Sequence, residues 1–296
     1  MAITVSRAEL QGLEDRVAAA FRTGRDSSLD VIGYGESSMV LRLETPQGAL
    51  ACKRLPTFAD RARFDRYQER FEQYLGRLRQ AGVAVVDSEL RALTAPSGEV
   101  AAYCVQEALP AGRLCSALLR TEDEAWVRGF FTRFLDTVDR VVAPTLGLDA
   151  QASNWVEVDG EPHYLDVTTP FLRDERGREL LDVRLFVTSL PWVLRTPVRV
   201  TMTGRILDKY FSVRGVVLDF LGNLHKESLG HLVPFLVELA NARLERPLGV
   251  QEVARYYQGD ATTWTVLQRL RRADRLWQLK VRRRPYCFLL PPEIDR

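Results

Sequence analysis

Apolar and polar positions alternate along three short runs early in the chain, SLDVIGY (28–34), MVLRLET (39–45) and ALACKRL (49–55). They are joined by GESS and by the turn Pro46-Gln47-Gly48, so they predict an antiparallel meander. The period then changes. From 58 to 80, Phe64, Tyr67, Phe71, Tyr74, Leu75 and Leu78 recur on one face of a helix. Two more extended runs, 84–95 and 100–109, flank the turn Pro96-Ser97-Gly98. A long amphipathic helix is predicted over 122–142, then two short strands, NWVEV and HYLDV, around an Asp159-Gly160 turn. From about residue 204 the pattern is mainly helical. Before all of these, Ser6 and Glu9 form a capping box ahead of an N-terminal amphipathic helix.

The fold class expected from this order is α+β. A small antiparallel sheet with one helix (1–109, including the N-terminal helix) precedes a larger, mainly helical part (110–296). At 296 residues the chain can bury a sizeable core. No apolar run is long enough to cross a bilayer, and the N-terminus lacks the basic start and apolar block of a signal peptide, so a cytoplasmic protein with no membrane partner is expected. Cys52, Cys104, Cys115 and Cys287 have no metal-type spacing and read as reduced side chains. The formal charge of +2 excludes neither anionic nor neutral partners. Of the 41 cationic residues only Lys53, Lys209, Lys226 and Lys280 are lysine, which draws attention to any lysine at a chemically sensible position. The basic segment Arg269–Arg284 reads as a solvated helix face; no nucleic-acid motif accompanies it, and a nucleic-acid partner is not expected. The apolar end Tyr286–Pro292 is expected to dock on the helical part.

Four features could carry chemistry. The loop Gly33-Tyr34-Gly35-Glu36-Ser37-Ser38 is short of side chains, so its backbone amides can approach phosphate oxygens, although a tight hairpin also needs glycine. Lys53 ends the third strand on the same face as Ala51, where an ammonium can hold nucleotide phosphates or simply stand in solvent. On the following helix, Glu72 lies at the edge of the apolar stripe and Glu69 points away from it, so Glu72 is preferred as a carboxylate that fixes Lys53. The most specific feature is Asp149, then Asn154 five residues on and Asp166 twelve further. With three asparagines and 19 aspartates in the chain, that spacing arises by chance about 1% of the time. A short hairpin can bring Asn154 and Asp166 side by side as hard oxygen ligands for Mg²⁺.

Taken together, Gly33–Val40, Lys53 and the Asp149/Asn154/Asp166 series resemble the protein-kinase-like superfamily, nearer to aminoglycoside phosphotransferase and choline kinase relatives than to protein kinases. The resemblance covers about Asp30 to Asp166. It implies a bilobal fold and Gly33, Gly35, Ser37 and Ser38 on the phosphates of ATP. It implies Lys53 gripping those phosphates, held by Glu72 in preference to Glu69, and Gln106–Gly112, with Glu107 and Leu109, as a hinge that holds adenine through its backbone. It also implies Asp149 as the catalytic aspartate, with Asn154 and Asp166 as ligands of Mg²⁺. The implied activity is transfer of the γ-phosphoryl group to a hydroxyl of a small molecule. The chain departs from the family pattern at Ser38, at Gly147-Leu148 before Asp149, and at Val167-Thr168 after Asp166. The last two departures keep a second reading in view, a pseudokinase that binds nucleotide without transfer; a protein kinase is a third.

Overall fold

The computed structural model describes residues 4–24, 26–35, 38–182, 185, 207–284, 286–288 and 290, with backbone only at 260, 261 and 263. Five strands, β1 (Val31–Tyr34), β2 (Met39–Thr45), β3 (Gly48–Arg54), β4 (Glu89–Thr94) and β5 (Val100–Glu107), form one antiparallel sheet in the order β1-β2-β3-β5-β4. Helix α1 (Arg7–Thr23) starts at the expected capping box, Ser6 Oγ accepting from Glu9 N at 3.2 Å while Ser6 N donates to the Glu9 carboxylate at 2.8 Å. Its stripe Leu10, Leu13, Val17, Ala20 and Phe21 packs on one face of the sheet against Leu41, Cys52, Tyr103 and Val105. The alternation of β5 explains the layering. Tyr103 and Val105 face α1, whereas Ala102 and Cys104 face α2 (Arg61–Gln80) and the helical half beyond it. Burying a leucine-sized side chain in either layer contributes roughly 1.5–3 kcal/mol.

Helix α2 begins three residues later than the periodicity suggests. Phe58 is engaged with Val100 in two backbone hydrogen bonds of 2.9 Å, and Asp60 caps the helix by accepting from Arg63 N. The extended run 84–95 divides in two. Val86 N donates to Tyr164 O and Tyr164 N to Ala84 O, tying this stretch to a second sheet, and only Glu89–Thr94 joins the first. That second sheet is the hairpin β6 (Trp155–Val158) and β7 (Glu161–Tyr164), closed by Asp159 and Gly160 at φ 51° and 84°, the left-handed pair that a two-residue hairpin requires.

The remaining long elements of the described chain are helices: α3 (Cys115–Thr121), α4 (Glu124–Val141), α5 (Val213–Lys226), α6 (Val233–Asn241) and α7 (Val250–Leu276), the last running on into a π-turn, Trp277–Val281. Phe130, Phe131 and Phe134 of α4 close around Phe220 of α5 at ring separations of 4.3–6.3 Å. No described helix is long and apolar enough to cross a membrane. Tyr286, which begins the apolar end, does not dock where the sequence suggests. Tyr286 is buried, and its N–H donates to Phe21 O of α1 at 3.4 Å, because Arg275 of α7 also binds Gly24 O and brings the end of α7 against α1. Residues 289, 291 and 292 of that end lie outside the described residues.

Candidate functional site

A row of paired positions crosses the first sheet at the glycine-loop end. Gly33 faces Val40, Val40 faces Lys53, Lys53 faces Cys104 and Cys104 faces Leu90. Strand pleating therefore presents Lys53 away from α1, toward the helical half. There its ammonium donates to Asp166 Oδ1 at 2.7 Å, although 113 residues separate the two. The contact is only partly sealed, with 17% and 31% of the two side chains exposed.

Asp166 is held from three directions. Besides Lys53, the Thr168 hydroxyl donates to Oδ1 at 2.9 Å and the Thr168 N–H at 3.3 Å, while Oδ2 takes none of the three. Burial pushes the Asp166 carboxyl up. The Lys53 ammonium and the two Thr168 donors outweigh it and hold the group below the ordinary carboxylate range.

Asn154 reaches the same place from the other side of the hairpin. Leu165 N donates to Asn154 O at 2.8 Å, so the backbone of Asn154 abuts the residue before Asp166. Its side-chain Nδ2 donates to Asp149 O at 2.9 Å, which fixes the amide and turns Oδ1 away from that bond. Asp149 is half-buried at the head of the loop, and Tyr164 Oη also donates to its carbonyl, at 3.1 Å. The Lys53–Asp166 pair and the Asn154–Asp149 pair are thus joined through the backbone of Leu165. Among the described residues no group of three or more His, Cys, Asp or Glu side chains is arranged to hold a metal; the oxygen donors here are one carboxylate and one amide.

The predicted partner of Lys53 is corrected. Glu72 lies on the exposed face of α2, where its carboxylate accepts from Gln68 at 2.8 Å, and the exposed Glu69 sits 3.9 Å from Arg70. The inward positions are taken by Tyr67 and Phe71, whose burial sets the rotation of the helix. The carboxylate on Lys53 comes instead from Asp166.

In the glycine loop, Gly35 N donates to Ser38 O at 2.9 Å, and a Cβ on Gly35 would come within 2.5 Å of Ser38 Oγ, so a side chain there would require the serine hydroxyl to turn away. Ser37 lies outside the described residues. Glu107 is exposed and Leu109 half-buried at the far end of β5; between them Ala108 N donates to Ala49 O, extending the sheet. They lie at the opposite end of β3 from Lys53, since Leu50 pairs with Glu107.

Several groups that support the cluster are absent from the sequence reading. At Gly147 a Cβ would meet Tyr210 O at 2.8 Å and Phe171 Cβ at 3.0 Å. The space a histidine would fill is therefore taken. The loop is tied without one: Gly147 N donates to Phe171 O, Tyr74 Oη to Gly147 O, and Leu148 N to Tyr210 O. Tyr67 Oη donates to Thr168 O at 2.8 Å, and Gln106 Nε2 to Leu165 O at 2.8 Å. Burial raises the phenols of Tyr67, Tyr74 and Tyr164, keeping them protonated donors. Tyrosines on the buried stripe of α2 are the signal for these ties, because a buried phenol needs a partner.

No curated protein matches the chain in sequence. A family model described as Family of unknown function (DUF6206) matches residues 12–275, a span that takes in the sheet, the hairpin and the helical half alike, and the protein belongs to that family.

Proposed function

We propose that the protein is an ATP-dependent phosphotransferase with a bilobal, protein-kinase-like fold, acting on a hydroxyl of a small molecule. The observation that carries this reading is the Lys53–Asp166 contact, with the backbone of Asn154 hydrogen-bonded to Leu165, the residue before Asp166. A strand-borne ammonium, a carboxylate and an amide brought together from distant segments are the groups that phosphoryl transfer uses. The sheet order, the helix after β3 and the Asp-Gly hairpin between Asn154 and Asp166 support the same reading.

The donors fit a hard cation. Asp166 keeps Oδ2 clear of the Lys53 and Thr168 donors, and Asn154 has its amide nitrogen tied back. Asn154 and Asp166 would hold Mg²⁺, which supplies charge neutralisation on the phosphates. Lys53 positions the phosphates through its ammonium. Asp149 orients the acceptor hydroxyl and accepts its proton as the new phosphorus–oxygen bond forms and the bond to the ADP oxygen breaks. Positioning and electrostatics carry most of such a reaction.

A second reading, nucleotide binding without transfer, draws on one observation: Glu72 faces outward and Asp166 itself neutralises Lys53. One experiment separates the two. The protein is incubated with labelled ATP, Mg²⁺ and a metabolite extract, and its melting temperature is followed with ATP in parallel. The expected outcome is stabilisation by ATP together with a new phosphorylated metabolite. Asp149→Asn and Asp166→Ala should each lower its formation about 10²-fold or more. Stabilisation without any product selects the second reading, and undiminished ATP consumption in both variants removes the mechanism.

A further inference from the structure

The last part of helix α7 and its π-turn, residues 266–281, carry an apolar stripe on the outside. Val266, Leu270, Trp277 and Val281 fall at intervals of four, seven and four residues, which is one helical stripe, and all four are 39–59% exposed. Ala273 fills the same stripe and Leu276 stands exposed beside it. The inward face holds polar groups beside the half-buried Trp264, Leu267 and Leu279. Gln268 and Arg271 are only 8% and 2% exposed, and Arg275 reaches Gly24 O. Both amide atoms of Gln268 are buried without a hydrogen-bond partner. Keeping Trp and aliphatic side chains in water while burying Gln and Arg is unfavourable, and it marks the outward stripe as a contact surface.

We propose that this face lies on an anionic lipid surface. Charge selects the partner. Residues 269–284 carry eight Arg or Lys and a single acid, Asp274. Arg269, Lys280 and Arg282–Arg284 are exposed, and none is in an ion pair among the described residues. A second copy would bring like charges together across the contact. An anionic bilayer instead receives the Trp and aliphatic stripe at the level of its headgroups while the arginines spread to the phosphates. The stripe from Val266 to Val281 is about 22 Å long at helical rise, suited to a helix lying along the interface. Such a helix needs no membrane span. Its last turn is a π-helix, Arg282 N donating to Trp277 O at 3.0 Å, a widening frequent at functional sites.

The test uses the full chain and two vesicle preparations, phosphatidylcholine alone and phosphatidylcholine with phosphatidylglycerol, in a flotation assay. The expected result is recovery with the anionic vesicles only, with quenching by bromolipids that disappears in Trp277→Phe. The double variant Leu270→Gln/Trp277→Gln should bind about tenfold more weakly or less at an unchanged melting temperature, since both side chains are exposed. Replacing Arg282–Arg284 by Gln should flatten the salt dependence. Failure of the intact protein to float with anionic vesicles overturns the proposal, as does equal binding by the double variant. A concentration-dependent dimer abolished by Leu270→Gln would also overturn it and give the face to a second copy. None of these readouts depends on ATP or on the Lys53 cluster.

Discussion

Lys53 and Arg54 are neighbours on β3, leave opposite faces of the strand, and each meets a carboxylate; their surroundings make them different things. Arg54 points into the α1 layer. Its guanidinium donates to both oxygens of Glu14 at 2.9 Å, to Leu55 O and to Thr57 Oγ1, it lies 5.0 Å from the Phe21 ring centre, and only 5% of its side chain is exposed. Tyr103 adds a donor to Glu14. Four of the five N–H donors of that fork are used, as Arg geometry favours. Lys53 has one acceptor at 2.7 Å, and that acceptor is 31% exposed. A sealed, bidentate pair holds layers together, whereas a half-open, single-contact pair can exchange its partner for a ligand.

The comparison breaks hardest at Glu14. Glu14→Ala leaves a buried guanidinium without its counter-charge and takes the acceptor from Tyr103, and removing one partner of such a pair costs about 3–5 kcal/mol. Urea denaturation should show that loss at an unchanged m-value. Replacing both partners, Glu14→Leu with Arg54→Met, should recover most of it, because an apolar pair of similar volume does not need the charge. A loss below about 1 kcal/mol in the single variant would mean that Arg54 reaches water, and the contrast with Lys53 would go.

A smaller effect is expected at Thr168. Thr168→Val removes the hydroxyl bond to Asp166 Oδ1, worth about 1 kcal/mol. The folded Asp166 carboxyl sits below its ordinary value of 3.8. Its contribution to stability is therefore complete above that value and is lost as pH falls through the lower folded one. Thr168→Val lets the folded carboxyl drift back up, so its stabilising contribution shrinks and is used up at a higher pH, and acid unfolding followed by circular dichroism should move upward in pH. An unmoved acid transition would leave Lys53 alone in charge of Asp166.

Much of this was legible in the chain before any coordinates. The sheet strands announce themselves by alternation, α2 by the switch to helical period, and the β6–β7 turn by Asp159-Gly160. The juxtaposition of Asn154 with the Asp166 segment follows from hairpin length alone. What stayed hidden depends on long-range packing. Ser6 and Glu9 mark where α1 begins, but nothing local says that its stripe covers the sheet, or that Tyr286 returns to Phe21. Helical arithmetic puts Glu72 at the margin of the stripe, and the rotation that turns it outward is set by Tyr67 and Phe71 settling against the Asp166 loop. At Gly147 the sequence registers a missing side chain; only the approach of Tyr210 O and Phe171 explains why none fits.

The smallest expected effect is the most diagnostic for Lys53. Glu72→Gln changes an exposed side chain whose one described bond is to Gln68, so stability should move by no more than about 0.5 kcal/mol. If Asp166 is the functional partner of Lys53, ATP-dependent stabilisation is also unchanged in Glu72→Gln and falls sharply in Asp166→Asn. Combining the two variants should then add nothing to the single Asp166 effect, since groups that share no partner do not couple. Should Glu72→Gln weaken ATP binding by about tenfold, a difference near 1.4 kcal/mol, α2 must turn on binding to bring Glu72 to Lys53. The pairing with Asp166 would then belong to the ligand-free protein alone. Titration of both variants with ATP by calorimetry distinguishes a fixed lysine partner from one that changes with the ligand.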